Sequence, residues 1–420
     1  MDRTDLESAA SPSASQRRRP AAPCPACGDP HLQSFYRVED VPVNSVLRIS
    51  SPEEARSFPT GDLDLALCPK CGFITNRAFA PTLVRYDREY DGTQAFSPTF
   101  NAFHEHLARD LIERYDLHGK RIVEIGCGQG EFLHLLARLG DNRGLGFDPA
   151  CVTAPSDPRV EIIADEYSAA HADVSADFLC CKMTLEHIPD VASFVRTVRK
   201  TVGDNPNTAI FFQVPDAGRL LDDGAFWDVY YEHCSYFTAT SLAALFRQEG
   251  FRVQSTWTAY DGQYLMIEAH PRLADNPPAP ESDAPVRSPR MQNRVEAFAR
   301  SARTQQTAWT RWLHAEAEAG HRVVLWGGGS KAVAFLTSLG VDDEIAYVVD
   351  VNPHKHNTYL AGTGHPIVGP GALPDRPPDT VVVMNPVYVD EIRSALERQG
   401  LSPHLTTVES LPLSEDASPS

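Results

Sequence analysis

The stretch RIVEIGCGQGEFLHLLARLG, residues 121–140, limits the fold more than any other part of the chain. A short strand-forming run leads into three glycines at alternate positions, Gly126, Gly128 and Gly130, and a helical run follows at once. Strand, glycine turn and helix in that order open a parallel sheet, because a parallel neighbour is reached only through a long crossover. The pattern continues over residues 100–270: NRGLGFDP, VEIIAD, DFLCCKM and TAIFFQVP read as further strands separated by helical stretches. The expected fold class is α/β, a doubly wound sheet with helices on both faces.

The same plan recurs further on. Residues 270–290 are rich in Pro, Ala and Asp and carry no period, as in a linker. A long helical run follows, then RVVLWGGGSKAVAFLTSLG repeats strand, glycines and helix, with EIAYVVDVNP and TVVVMNP behind it. A chain of 420 residues has room for two or three domains.

Ahead of both units stand CPACG at 24–28 and CPKCG at 68–72. Two C-x2-C hooks, Cys24 with Cys27 and Cys68 with Cys71, have the spacing of a tetrahedral Zn²⁺ site, each turn supplying two sulfurs. Gly28 and Gly72 suit the tight turn beneath each hook. The chain has nine cysteines, the others being Cys127, Cys151, Cys180, Cys181 and Cys234. The first twenty residues lack the apolar core of a secretory signal, which points to a reducing cytoplasm and to metal rather than disulfides. Four thiolates close the coordination sphere, so the zinc is expected to be structural. Such a module, with short strands, turns and little core, would take folding energy from the ion. The expected division is a disordered tail over 1–20, a zinc module over 21–80, a central domain over 81–270, linker and long helix over 271–319, a C-terminal domain over 320–412, and a tail over 413–420.

A formal net charge of −18 disfavours a nucleic-acid or membrane-surface partner, which would need a basic face. No apolar run reaches membrane-spanning length. The Arg17–Arg19 cluster reads as part of a solvated tail.

The first glycine loop carries the chemistry. Glu124 precedes it, Asp148 ends the next strand 22 residues beyond Gly126, and Asp165 ends the third. A carboxylate at Asp148 can take two ribose hydroxyls, and Asp165 would lie near an adenine edge. A dinucleotide fingerprint, G-x-G-x-x-G/A, is the competing assignment, but here the third glycine comes one place early and position 131 is Glu. The E-x-G-x-G-x-G form resembles motif I of the class I S-adenosylmethionine (SAM) methyltransferases. LEHIP at 185–189 resembles the segment after the fourth strand in that superfamily, facing the methyl donor.

Downstream stands VYYEHCSYFTATSL, with Glu232 and His233 flanked by Tyr230, Tyr231 and Tyr236. The order of zinc hooks, SAM loop, LEHIP, Y-x-E-H-x-x-x-F and a C-terminal glycine-loop domain resembles the three-domain sugar C-methyltransferases over roughly residues 21–410. Those enzymes act on nucleotide-linked 4-keto deoxysugars. The resemblance implies that His233 is the base that removes the proton α to a ketone, with Glu232 beside it and Tyr230 as its hydroxyl partner. It implies that His187 is a second active-site histidine and that Tyr86 or Tyr90, with Tyr90 favoured, enters the pocket. Neutral imidazole suits the task near pH 7, and the enolate needs donors around its oxygen.

In the C-terminal unit Gly327, Gly329 and Ala332 follow a strand, and Asp350 ends the next. On motif alone this could bind NAD; in the resembled family the domain helps to enclose the nucleotide-sugar. Lys331 and Lys355 supply local charge. Three functions stay open at this point. One is a C-methyltransferase acting beside a ketone, another an O- or N-methyltransferase of a different small metabolite, and the third a SAM- or nucleotide-sensing zinc protein without catalysis. The expected partner is a small-molecule acceptor, a nucleotide-sugar in the first reading, and the expected state a monomer or weak oligomer.

Overall fold

The computed structural model describes residues 22–87, 89–152, 157–273 and 289–410. Both expected tails, Arg17–Arg19 and most of the expected linker lie outside the described residues.

The N-terminal region forms strands β1 (Gln33–Pro42), β2 (Thr60–Leu67) and β3 (Ile74–Asn76), paired antiparallel in that order, with a one-turn helix α1 (Pro52–Arg56) between the first two. β1 is ten residues long, where short strands were expected, and register shifts at Ser34/Tyr36 and Val38/Val41 bend it. Bulges increase local twist, which lets a long strand wrap a small core.

Helix α2 (Pro98–Tyr115) starts where Ser97 accepts from the Phe100 N–H and Pro98 fixes the first turn. The central sheet then assembles from β4 (Arg121–Ile125), β5 (Arg143–Phe147), β6 (Val160–Ile163), β7 (Phe178–Lys182) and β8 (Ala209–Pro215), all parallel. Helix α3 (Glu131–Gly140) follows β4 and buries Phe132, Leu133, Leu136 and Ala137. Helix α4 (Val191–Val202), capped by Asp190, buries Val191, Val195, Val198 and Val202 on one stripe, each worth about 1.5–3 kcal/mol of transfer free energy. Helices α5 (Ala217–Asp223) and α6 (Ala239–Gln248) flank a two-residue strand, β9 (Ser235–Tyr236). The hairpin β10 (Phe251–Ala259) and β11 (Tyr264–Pro271) closes the sheet antiparallel to β8. The order is β10-β11-β8-β7-β4-β5-β6. The chain switches direction at β4, and open sheets of this kind bind ligands in the crevice beyond such a point.

β9 does not join that sheet. It pairs with β3, Ile74 opposite Tyr236, and so completes the N-terminal sheet from within the central chain segment. One apolar cluster joins Cys24, Cys68 and Phe73 to Val195, Phe212, Leu242 and Phe246 of the central sheet and its helices.

The long helix α7 (Pro289–Glu318) leads to the last sheet: β12 (Val323–Trp326), helix α8 (Ser330–Leu339), β13 (Val348–Val349), β14 (Thr358–Tyr359), β15 (Pro366–Val368), β16 (Thr380–Val383), helix α9 (Val389–Glu397) and β17 (His404–Thr407). Its order is β14-β15-β13-β12-β16-β17, parallel except at the β14 edge. Among the described residues no helix is long and apolar enough to cross a membrane.

Candidate active site

The first glycine loop has the shape its sequence requires. Gly126, Gly128 and Gly130 all have positive φ, the region that only glycine enters without strain. A Cβ on Gly126 would lie 1.9 Å from Thr184 Oγ1, so the loop after β7 sits directly on that backbone. At Gly128 the nearest atom to a Cβ is 3.8 Å away, which leaves its backbone open to the cavity. Asp148 accepts from the Gly128 and Ala150 N–H groups, both at 2.8 Å. Burial raises its pKa while those donors oppose the rise. Glu124 is buried with Oε2 unpartnered, and burial pushes its carboxyl up to about 7 against the opposing charge of Lys182.

These groups line one cavity of about 1150 Å³ that is bordered by loops of the N-terminal region, by the central sheet and by the last sheet. Glu124, Gly126, Gly128, Asp148, Tyr90, His187, Tyr230, Glu232 and His233 face it. Asp165 does not. Its side chain is 65% exposed and points to His171 at 3.6 Å, while the next two residues, Glu166 and Tyr167, reach the cavity. Gly130 lies at the start of α3, beneath the loop rather than on the wall.

At the far side of the cavity His187 and His233 meet edge to face, ring centroids 4.7 Å apart. Burial and the neighbouring His187 and Lys331 hold the His233 imidazole well below its ordinary pKa, and burial takes His187 down to about 4. Both rings are neutral at pH 7. Tyr230 contributes a ring contact to His233, centroids 4.2 Å apart, rather than the hydroxyl partner expected from the sequence. A turn, His233 N–H to Tyr230 carbonyl, sets the two rings side by side. Glu232 also differs from its expected place beside the base. Its carboxylate turns away, accepting from the Ser45 N–H at 3.1 Å, from the Ser45 hydroxyl, and from Asn44 Nδ2 at 3.4 Å. Ser45 Oγ also lies 2.7 Å from Ser330 Oγ at the start of α8. Burial pushes Glu232 up to about 7, opposed by the Ser45 bonds.

Tyr86, named with Tyr90 but not favoured, places its hydroxyl 2.8 Å from His187 Nδ1. Tyr90 packs on Tyr86, centroids 5.2 Å apart, and lines the cavity as well. Sequence reasoning missed Glu186, which lies between the histidines. It is 1% exposed, neither carboxyl oxygen has a partner, and burial pushes it up to about 8. One ligand atom each of Glu186, His187 and His233 lie within 4.8 Å of one another.

The hooks converge. Cys24 Sγ is 3.6 Å from Cys71 Sγ, and Cys27 Sγ is 3.6 Å from Cys68 Sγ, with all four sulfurs within 4.8 Å. Four sulfurs about 2.3 Å from a central Zn²⁺ would stand about 3.8 Å apart. The four residues therefore fit that ion, and no pair is at disulfide distance. Cys127, inside the glycine loop, packs its sulfur against Gly146, and burial raises its pKa, so it fills space.

The second glycine loop differs from the first in one decisive respect. Asp350 accepts from the Gly328 and Asn352 N–H groups at 2.8 Å, as Asp148 does from its own loop. Here, however, Lys355 sits 3.6 Å from the carboxylate and donates to the Gly328 carbonyl at 3.2 Å. An ammonium occupies the place where a ribose diol would have to bind. Lys331 is likewise engaged, with Asp228 at 2.5 and 2.7 Å.

Comparison with known proteins agrees with this layout. Residues 100–256 match a family described as a methyltransferase domain, and residues 281–401 one described as a C-methyltransferase C-terminal domain. The C-methyltransferase NovU of Streptomyces niveus is 26% identical over 394 residues, covering 89% of this chain and 92% of that protein. The chain is a multidomain SAM-dependent C-methyltransferase. A ubiquinone biosynthesis O-methyltransferase of Neisseria meningitidis is 30% identical to this C-methyltransferase over 144 residues, 31% of the chain and 60% of that enzyme. Among solved structures, a Burkholderia thailandensis 1,6-didemethyltoxoflavin-N1-methyltransferase aligns at 16% identity and a TM-score of 0.33, over 40% of this chain and 79% of that one.

Proposed function

We propose that this C-methyltransferase methylates the carbon next to the ketone of a nucleotide-linked 4-keto deoxysugar, or of a small metabolite with the same ketone chemistry. His233 is the base. The observation that carries this reading is the neutral, buried His233 imidazole on the wall of the cavity that also contains the glycine loop. A neutral imidazole can take the acidic proton α to a carbonyl. The resulting enolate oxygen needs donors, and the Tyr86, Tyr90 and Tyr230 hydroxyls on the same wall can supply them. Burial keeps these phenols protonated.

SAM, when bound, supplies a methyl group activated by its sulfonium. The chain's own work is placement: Gly126 and Gly128 give the nucleoside its backbone cradle, and Asp148 takes the ribose hydroxyls. Orientation of this kind supplies much of the rate for a group that needs no acid to leave. Ser330 and the start of α8 border the acceptor end, where backbone N–H groups suit a phosphate. Zn²⁺ belongs, in this proposal, to Cys24, Cys27, Cys68 and Cys71, as a structural ion. The sulfur spacing and the left-handed Gly28 and Gly72 below the hooks support it.

The test is conversion of SAM to S-adenosylhomocysteine with a panel of nucleotide-linked 4-ketosugars, wild type beside His233→Asn. Turnover that disappears in the variant while S-adenosylhomocysteine still binds is the expected result. Wild-type protein that binds S-adenosylhomocysteine yet turns over no ketosugar would overturn the acceptor assignment.

A further inference from the structure

At the floor of the cavity, beside the glycine loop, lies a buried cation that no step above uses. Lys182 ends β7 and is 8% exposed. Its neighbour Cys181 pairs with Ile125 of β4, so Lys182 stands level with Gly126 on the adjacent strand. Its ammonium sits 3.8 Å from the centroid of Phe132 and 3.1 Å from His104 Nε2. Burial, with the ammonium nearby, holds His104 neutral, so that nitrogen accepts. An ammonium has three donors. His104 takes one, the ring face offers attraction without a lone pair on oxygen, and among the described residues Lys182 forms no ion pair. The carboxyls of Glu124 and Glu131 act on it only from beyond ion-pair distance, and a buried cation left this way is costly unless a closer anion arrives.

Two buried acceptors nearby are also unfilled. Gln213 pairs with Lys182 across β8 and β7, is 1% exposed, and has no partner at Oε1. Glu124 Oε2 is the other. One surplus donor group and two surplus acceptors, buried beside the glycine loop, are the complement of a zwitterionic α-amino acid.

We propose that Lys182, steadied by His104, holds the carboxylate of the methionine end of SAM, and that Gln213 Oε1 joins Glu124 in holding its ammonium. This deepens the reading above and rests on it. Both residues act on the donor end of the cavity, level with the glycine loop rather than with the His187–His233 pair, so their effect is on cofactor affinity rather than on proton removal.

The experiment is calorimetric binding without acceptor, of S-adenosylhomocysteine and of its decarboxylated analogue, to wild type, Lys182→Met and Lys182→Gln. Wild type should prefer the carboxylate-bearing ligand by about 10- to 100-fold, the range for a hydrogen-bonded charge. Both variants should lose that preference while keeping wild-type affinity for the analogue. Thermal midpoints without ligand should change little, because the costly buried charge that is removed also offset the buried Glu124 carboxyl. Variants that still prefer S-adenosylhomocysteine, or that weaken both ligands equally with a lowered midpoint, would overturn the proposal and make Lys182 structural. Wild-type protein that binds neither ligand would instead sink the SAM reading on which it rests. Gln213→Leu should weaken both ligands alike, since both keep the amine; unchanged affinity would remove Gln213 from the site.

Discussion

Glu232 and Ser45 lie 187 residues apart in the chain and are joined by two hydrogen bonds, from the serine N–H at 3.1 Å and from its hydroxyl. The residue next to the proposed base is thus held by the N-terminal region, and Ser330 Oγ brings the C-terminal domain to the same point. Ser45→Ala removes the hydroxyl but leaves the N–H. Hydrogen bonds to charged groups are worth about 1.5–3 kcal/mol, so stability should fall by roughly that amount. Turnover should fall with it, while S-adenosylhomocysteine affinity stays at the wild-type value. Denaturant unfolding and calorimetry check both; a loss of cofactor affinity would contradict the assignment.

Acid should inhibit this enzyme later than an ordinary histidine base would allow. Free histidine titrates near 6.5, and burial together with His187 and Lys331 lowers His233 below that value. Only the neutral ring accepts a proton, so kcat/KM should stay level from pH 8 down through 6.5, the free-histidine value, and decline only below it. Glu186 also faces this pair of histidines, and its carboxyl is raised by burial. An acid limb centred at 6.5 or above would argue against His233 as the base in this environment.

The same carboxyl, Glu186, gives a stability test of opposite sign. Its folded pKa is raised to about 8 by burial, from an ordinary 4.5. A raised carboxyl contributes fully to stability below about pH 4.5 and loses that contribution as pH climbs through 8. Each pH unit in that window is worth about 1.4 kcal/mol, as an upper scale. Glu186→Gln should therefore raise the thermal midpoint more at pH 8.5 than at pH 5. Equal shifts at both values would mean that Glu186 finds a partner in solution.

Removal of the metal should reach the active site. β3, a few residues beyond the second hook, pairs with β9, which begins two residues after His233. Cys24→Ser with Cys68→Ser, or a strong chelator, should lower both the thermal midpoint and turnover, and elemental analysis of the wild type should find one zinc per chain. A zinc-free protein of full activity and solubility would show that the hooks do not brace the base.

Gly126→Ala isolates the cofactor loop. The added methyl meets Thr184 Oγ1, and φ is +68°. Left-handed backbone costs a non-glycine residue about 1–2 kcal/mol before any overlap. S-adenosylhomocysteine affinity should drop by about tenfold or more, since the backbone must move to relieve both. Unchanged binding would mean that nothing approaches this backbone.

Legibility from sequence followed the range of the interactions. Gly126 to Asp148 and Cys24 with Cys27 are local patterns whose chemistry shows in their spacing. Tyr230 and His233 are neighbours in sequence, yet nothing in the sequence shows the turn that brings their rings into tilted contact. The Asn44–Ser45 grip on Glu232 was invisible because nothing in that pair of residues announces a partner so far along the chain. Tyr86 and Tyr90 belong to one loop, and only its folded path decides that Tyr86 reaches His187. Lys182 lies in the strand-forming segment DFLCCKM, just ahead of LEHIP, where His187 carries the more suggestive chemistry. A lysine following an otherwise apolar strand, CCK after DFL, was the available signal.

The strand Ser235–Tyr236 belongs by sequence to the methyltransferase segment and by hydrogen bonding to the N-terminal sheet. Grafting experiments should feel this. The donor half, from α2 to β8, is one uninterrupted piece of chain and can be exchanged between relatives as a block. The acceptor half has no such block: residues 44–45, 86, 90, 230–236 and 330 come from separate stretches and must be transplanted together, and 186–187 lie inside the donor piece itself. A change of acceptor is therefore written as coordinated edits along the whole chain, while the methyl donor is inherited in one piece.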